Sequence, residues 1–208
     1  MSARARAATA AVDQLPADPG LLVLEYELER VALGEADDDA LEAWTVTVVH
    51  PGSDEDDEDA GGIGRLELVR LCQGGGHSPA RAADDFGDAA ARIAAVVFDA
   101  ASGRYSAAFR SAVSSADGDL LLVGGVELDP LWKGAGLEAV LAAEAIAVLG
   151  RGCCAVAVTD DGVGDWTALG FTAFRKGVSL LDLARAGAAE LRAAGRRRLA
   201  ELSAAYEG

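Results

Sequence analysis

The chain has 208 residues, 34 acidic against 18 basic side chains, and a formal net charge of −16. That length fits one domain with loose ends or at most two small ones, and a surface this acidic repels nucleic acid and anionic lipid, so neither is an expected partner. Hydrophobic residues make up 51% and aromatics 5%, and because much of the apolar count is alanine, the core must rest on Leu, Val and Ile.

Residues 1–19 read as an N-terminal arm, with Arg4 and Arg6 but without the apolar stretch of a signal peptide. No stretch has the length and apolarity of a membrane span, so a cytoplasmic protein is expected. Leu22, Leu24, Tyr26 and Leu28 alternate with glutamates, which predicts a half-buried strand within 21–33. Gly34 to Asp39 reads as an acidic turn, and Trp44 to Val49 as a second strand. The run Asp54-Glu55-Asp56-Asp57-Glu58-Asp59 reads as a solvated loop; a calcium loop would need spaced oxygen ligands and an internal glycine. Gly64 to Leu71 alternates again and completes a three-strand antiparallel meander.

Gly74-Gly75-Gly76 breaks the pattern. Phe86, Ala90, Ile93 and Val97 then recur at helical spacing, predicting a helix over 85–98 capped by Asp84 or Asp85. Tyr105 to Val113 reads as a second, shorter helix. Asp119 to Leu128 is a strand whose start, Leu120-Leu121-Leu122-Val123, is apolar on both faces, as in a central strand covered on two sides. A turn containing Lys133, Gly134 and Gly136 leads into a helix over Leu137 to Leu149, stopped by Gly150. Cys154 to Val158 reads as a buried strand, 164–169 as a short helix, 171–174 and 177–183 as closing strands, and 184–206 as a last helix. Its Arg196-Arg197-Arg198 run reads as a solvated face balancing an acidic body. Residues 20–184 form the expected domain, with 185–208 as an added helix.

Cys72, Cys153 and Cys154 are odd in number, and adjacent side chains on a strand point to opposite faces, so no disulfide framework is expected. With only His50 and His77 and no CxxC pair, no metal site is expected.

The chemistry-bearing unit is the strand, glycine turn and helix spanning 120–149. A helix N-terminus presents unbonded N–H groups and the positive end of the helix dipole, and glycines let a phosphate approach them. A Walker loop needs its Lys after the glycines, whereas Lys133 precedes them. A dinucleotide turn matches Gly134, Gly136 and Ala139 literally, but the turn is too long and only about 70 residues follow it.

The segment Val126 to Leu137, reading VELDPLWKGAGL, resembles the acyl-CoA-binding motif of the GNAT superfamily of N-acetyltransferases, Arg/Gln-x-x-Gly-x-Gly/Ala after a strand. Trp166 to Phe171, reading WTALGF, resembles the family's Tyr-x-x-Leu-Gly-Phe segment. The resemblance spans 120–183. It implies an α/β (α+β) fold, with a mixed, mostly antiparallel sheet flanked by helices, and acetyl transfer from acetyl-CoA to a primary amine of a small molecule or protein. Carried onto this chain, it puts Lys133 at the family's Arg/Gln position and the N–H groups of Gly134, Ala135, Gly136 and Leu137 on the pyrophosphate. It pairs the backbone of Val126 and Leu128 with the pantetheine arm, and Glu127 deprotonates the amine. Glu127 also reads as an exposed strand carboxylate; Asp129 and Asp160 are further carboxylates for an amine. The chain departs from the pattern at Glu138, where the family prefers Gly or Ala, and at Trp166, where many members carry a tyrosine acid. The first helices also fall after the third strand rather than the first. A GNAT-like module that binds CoA or a partner without turnover, and a dinucleotide-binding protein, stand as alternatives. The late strands and last helix offer a surface for a homodimer.

Overall fold

Alternating sequence in the first third of the chain builds three strands. The computed structural model describes residues 15–28, 40–51, 62–73, 78–160 and 166–206. The acidic turn at 34–39, the acidic run at 54–59 and the triple glycine lie outside them. Strand β1 (Val23–Leu28), β2 (Leu41–Val49) and β3 (Gly64–Leu71) pair antiparallel in sequence order, as the alternation predicts. Leu22, Leu24 and Tyr26 face the core while Val23, Glu25 and Glu27 face outward.

Between β3 and the next strand come three helices: α1 (Pro79–Phe86), α2 (Asp88–Val97) and α3 (Ala107–Ala112). The single helix expected over 85–98 is thus two. Pro79 is pre-set for a first helical turn, so the helix starts early and Asp84 and Asp85 sit exposed inside α1 rather than capping it. Gly87, at φ 154, then breaks the chain and puts Phe86 off the buried stripe, 45% exposed. Ser106 caps α3 by accepting from the N–H of Phe109 at 3.2 Å. Tyr105, read as helical, instead bridges to Phe98 and donates its hydroxyl to the carbonyl of Gly118 at 3.0 Å.

Strand β4 (Asp119–Leu128) pairs antiparallel with β3 and parallel with β5 (Cys153–Thr159) across helix α4 (Leu137–Leu149). A tight turn through Lys176 (φ 49) and Gly177 (φ 72) joins β6 (Thr172–Arg175) to β7 (Val178–Asp182). Strand β7 lies between β5 and β6, giving a seven-stranded order of β1-β2-β3-β4-β5-β7-β6. The last helix is also split: α5 (Leu183–Ala186) ends at Gly187 (φ 61) and α6 (Ala188–Ala205) follows.

The result is a mixed, mostly antiparallel sheet between two helical layers. Leu121, Val123, Val126 and Leu128 of β4 pack toward α4 and α6, while Leu120 and Leu122 pack toward α1–α3. The central strand is therefore covered on two faces where its sequence is apolar on both. Helix α4 is buried nearly all round because α6 lies across its outer side; Ala142, Ala143, Ile146 and Ala147 are buried along with Leu137, Val140, Leu141 and Ala145. Leu15 and Pro19 are buried as well, and Leu15 joins the core on the α4 side. Among the described residues no helix is long and apolar enough to cross a membrane.

Candidate functional site

Strand β4 changes character at Gly124. Its register with β3 runs Leu68↔Val123 and then Glu67↔Gly125, leaving Gly124 as the extra residue of a β-bulge. On its other side, β4 pairs with β5 only from Asp119 to Leu122, the last partner being Ala157. Both strands continue, β4 to Leu128 and β5 to Thr159, but among the described residues they pair no further, leaving a gap, the cleft, on the β5 side of β4. A bulge bends and twists its strand, which is the physical cause of the parting.

The cleft side of β4 carries backbone donors and acceptors. In an antiparallel ladder, N–H and C=O of one residue point to the same side and alternate residues point oppositely. The N–H of Asp129 donates to the carbonyl of Ile63, 2.8 Å away on the β3 side. The carbonyl of Glu127 also faces β3, 2.7 Å from where a Cβ on Gly64 would stand. Val126 and Leu128 therefore direct their backbone groups into the cleft. Their side chains, each 5% exposed, anchor the strand in the core.

The cleft runs to the glycine turn. Asp129 accepts from the N–H of Leu131 at 2.8 Å and starts a 3-10 turn over Pro130–Trp132. Trp132, 4% exposed, pins that turn to the core. Lys133 is exposed, and Gly134 (φ 93) and Gly136 (φ 77) adopt left-handed conformations. Between them Ala135 is buried, which holds the loop down. A Cβ added at Gly134 or Gly136 would meet nothing within 4 Å, so open space lies over both. Gly136 is the N-cap of α4 and offers no side-chain acceptor, leaving the first N–H groups of α4 without a side-chain cap. Glu138 lies in that first turn, partly exposed.

The other candidates are placed as follows. Glu127 is exposed on the sheet face turned away from α4, opposite Arg65, which bonds Thr45 at 3.2 Å and pairs with Glu67 at 3.3 Å. Asp129 is the turn cap described above. Asp160, at the end of β5, accepts from Ser179 at 2.7 Å. Trp166, 8% exposed, packs edge-on against Phe171 with ring centroids 5.5 Å apart, and its buried Nε1 has no hydrogen-bond partner. Tyr105 lies at the opposite end of β4, against Gly118.

Cys153 and Cys154 are not poised as thiolates. Burial pushes the Cys153 thiol up to about 12 and raises Cys154 as well, so both stay protonated at neutral pH. No group of three metal-ligating side chains is found among the described residues. No family model matches the chain, and no curated protein matches it.

Two features escape a periodicity reading. The bulge has a signal in the Gly124-Gly125 pair inside an apolar strand. The second is Glu144, which with Glu138 is one of two charged residues in α4; it meets Arg192 of α6, and no motif marks that meeting.

Proposed function

We propose that the cleft between β4 and β5 binds acetyl-CoA and that the protein is a GNAT-like N-acetyltransferase acting on a primary amine. One observation carries this reading: an unpaired stretch of β4 backbone leads to a glycine turn with open space over it at the N-terminus of a 13-residue helix. An extended pantetheine arm can add to the Val126–Leu128 edge as a further strand. The pyrophosphate suits the amides of 134–137, where glycines allow close backbone approach and the helix dipole favours negative charge. Lys133 adds a positive charge beside it.

The transfer needs no covalent enzyme intermediate. A neutral amine attacks the thioester carbonyl carbon, a C–N bond forms and the C–S bond breaks. The sulfur leaves as thiolate, and the amine proton passes to Glu127, directly or through one water. The acidic surface favours approach of a cationic amine.

The burial of Trp166 favours a second reading, CoA binding without turnover, since an indole cannot protonate a departing thiolate. The tests separate the two. Acetyl-CoA at millimolar concentration should raise the Tm of the full-length protein, because a ligand bound only to the folded state stabilises it; no shift would overturn the assignment. Release of free thiol across a panel of primary amines supports transfer. A Tm shift without thiol release supports the second reading, and a shift with NAD in place of CoA supports a dinucleotide site.

A further inference from the structure

Away from the cleft, β1, α4 and α6 line a half-open pocket of ≈ 300 Å³, at the small end of the range for ligand pockets. Leu24, Leu141, Val148 and Leu199 supply apolar walls. The polar groups come from Glu144, Arg192 and Arg196, with Tyr26 beside them. Their geometry is lopsided. Arg192 directs both Nε and Nη2 to the same oxygen, Oε1 of Glu144, each at 2.8 Å. Arg196 approaches that same oxygen at 3.7 Å, beyond hydrogen-bonding distance. Oε2 of Glu144 is buried without a partner. A guanidinium fork ordinarily engages two acceptor oxygens.

Among the described residues two guanidinium groups thus share one carboxylate, leaving a net positive charge at the rim of a partly apolar pocket, and Arg196 is within hydrogen-bonding distance of no protein acceptor. Among the described residues the surplus is one positive charge, on a chain of net charge −16. Arg196 is 67% exposed on its side chain and can turn to a ligand without leaving the rim. Tyr26 stays protonated, its hydroxyl pushed up to about 12 by burial and then by Glu144, so it remains a donor.

We infer that this pocket binds a small free carboxylate with an apolar tail, its head held by Arg196 and Arg192 and its tail against Leu24, Leu141, Val148 and Leu199. An anion brings the local charge to zero and takes up the Arg196 donors; an ammonium head would double the surplus. This site is independent of the cleft and of the acetyl-CoA reading. The Arg196-Arg197-Arg198 run acquires a division of labour in it: Arg196 faces the pocket, and Arg198 pairs with Glu201 at 3.1 Å.

The test is titration calorimetry of the full-length protein with octanoate, octanol and octylamine at equal chain length. Saturable one-to-one binding of octanoate below about 1 mM is expected, at least tenfold tighter than octanol, with octylamine weakest. Arg196→Gln should lose at least tenfold for octanoate and leave octanol unchanged. Leu199→Trp, which fills the pocket, should abolish binding of both while circular dichroism shows a folded protein. Equal affinity for the three heads, or tighter binding of octylamine, would overturn the carboxylate assignment. Octanoate binding that survives both substitutions, or no saturable binding of octanoate to the wild type, would overturn the site.

Discussion

The two halves of β4 are one strand under two regimes. From Asp119 to Val123 it has a neighbour on both edges or a packed helix layer over both faces, and its leucines are at most 1% exposed. From Gly124 onward it keeps β3 but loses β5, and Gly124, Gly125 and Glu127 replace the large apolar residues on one face. The first half holds the sheet together. The second half leaves backbone groups of Val126 and Leu128 for something else to bond. A single bulge divides them, and side chains and ladder change within two residues of one another.

The closed end is pinned by more than apolar packing. Asp119 accepts from Arg70 at 2.8 Å and from the N–H of Gln73 at 2.7 Å. Asp182, across β5 from it, accepts from both the N–H and the hydroxyl of Ser114, at 2.8 and 2.7 Å. At the open end the corresponding backbone is held by Trp132 and Ala135, two buried side chains on either side of an exposed lysine and glycine.

The contrast can be broken most sharply by paired substitutions. Leu121→Ala empties a fully buried site in the closed half and should lower stability by about 3 kcal/mol in urea denaturation, with acetyl-CoA affinity of the folded protein unchanged. Gly136→Asp should do the reverse. A carboxylate at a left-handed N-cap position meets the proposed pyrophosphate, so calorimetry should show acetyl-CoA binding weakened at least tenfold, about 1.4 kcal/mol, with a stability loss of about 1 kcal/mol, smaller than that of Leu121→Ala, from a φ of 77° that side chains rarely adopt. Unchanged affinity there would remove the ligand role from the open half.

A smaller effect concerns the acid at the closed end. Burial alone would raise the Asp182 carboxyl, but its bonds from Ser114 and Ala184 outweigh that and hold it below the usual carboxylate range. A lowered folded pKa gives stability that is present above the unfolded value of about 4 and is lost as pH falls through the folded value. Wild type should therefore melt above Asp182→Asn at pH 7, and the gap should close toward pH 2. The smallest effect is expected at the bulge itself. A Cβ on Gly124 would stand 3.5 Å from the carbonyl oxygen of Glu67, an ordinary contact, so Gly124→Ala should change stability by less than about 0.5 kcal/mol. A large loss would mean that glycine itself, rather than the ladder mismatch, makes the bulge.

Much of this architecture is legible in the amino-acid order. The bounds of β3, β4 and α4 follow from alternation, from an apolar run on both faces and from glycines at the ends, all local signals. The misread helices have local causes as well: Gly87 and Gly187 sit inside stretches whose composition is otherwise helical, and glycine breaks a helix only when the rest of the fold leaves it a left-handed conformation to occupy. The glycine turn before α4 is visible in sequence, and so is the proposal that it holds a phosphate.

What the sequence determined by itself is thus the strands, the helix α4 and the glycine turn before it. Tertiary structure alone decided that β7 inserts between β5 and β6, that β4 and β5 part after Leu122, and that Glu144 of α4 meets Arg192 and Arg196 of α6. The physical reason is range. Strand and helix periodicity is written in neighbours two to four residues apart, whereas a cleft or a pocket is made by surfaces brought together from about 50 residues apart, and no short-range pattern encodes where one strand stops pairing with another.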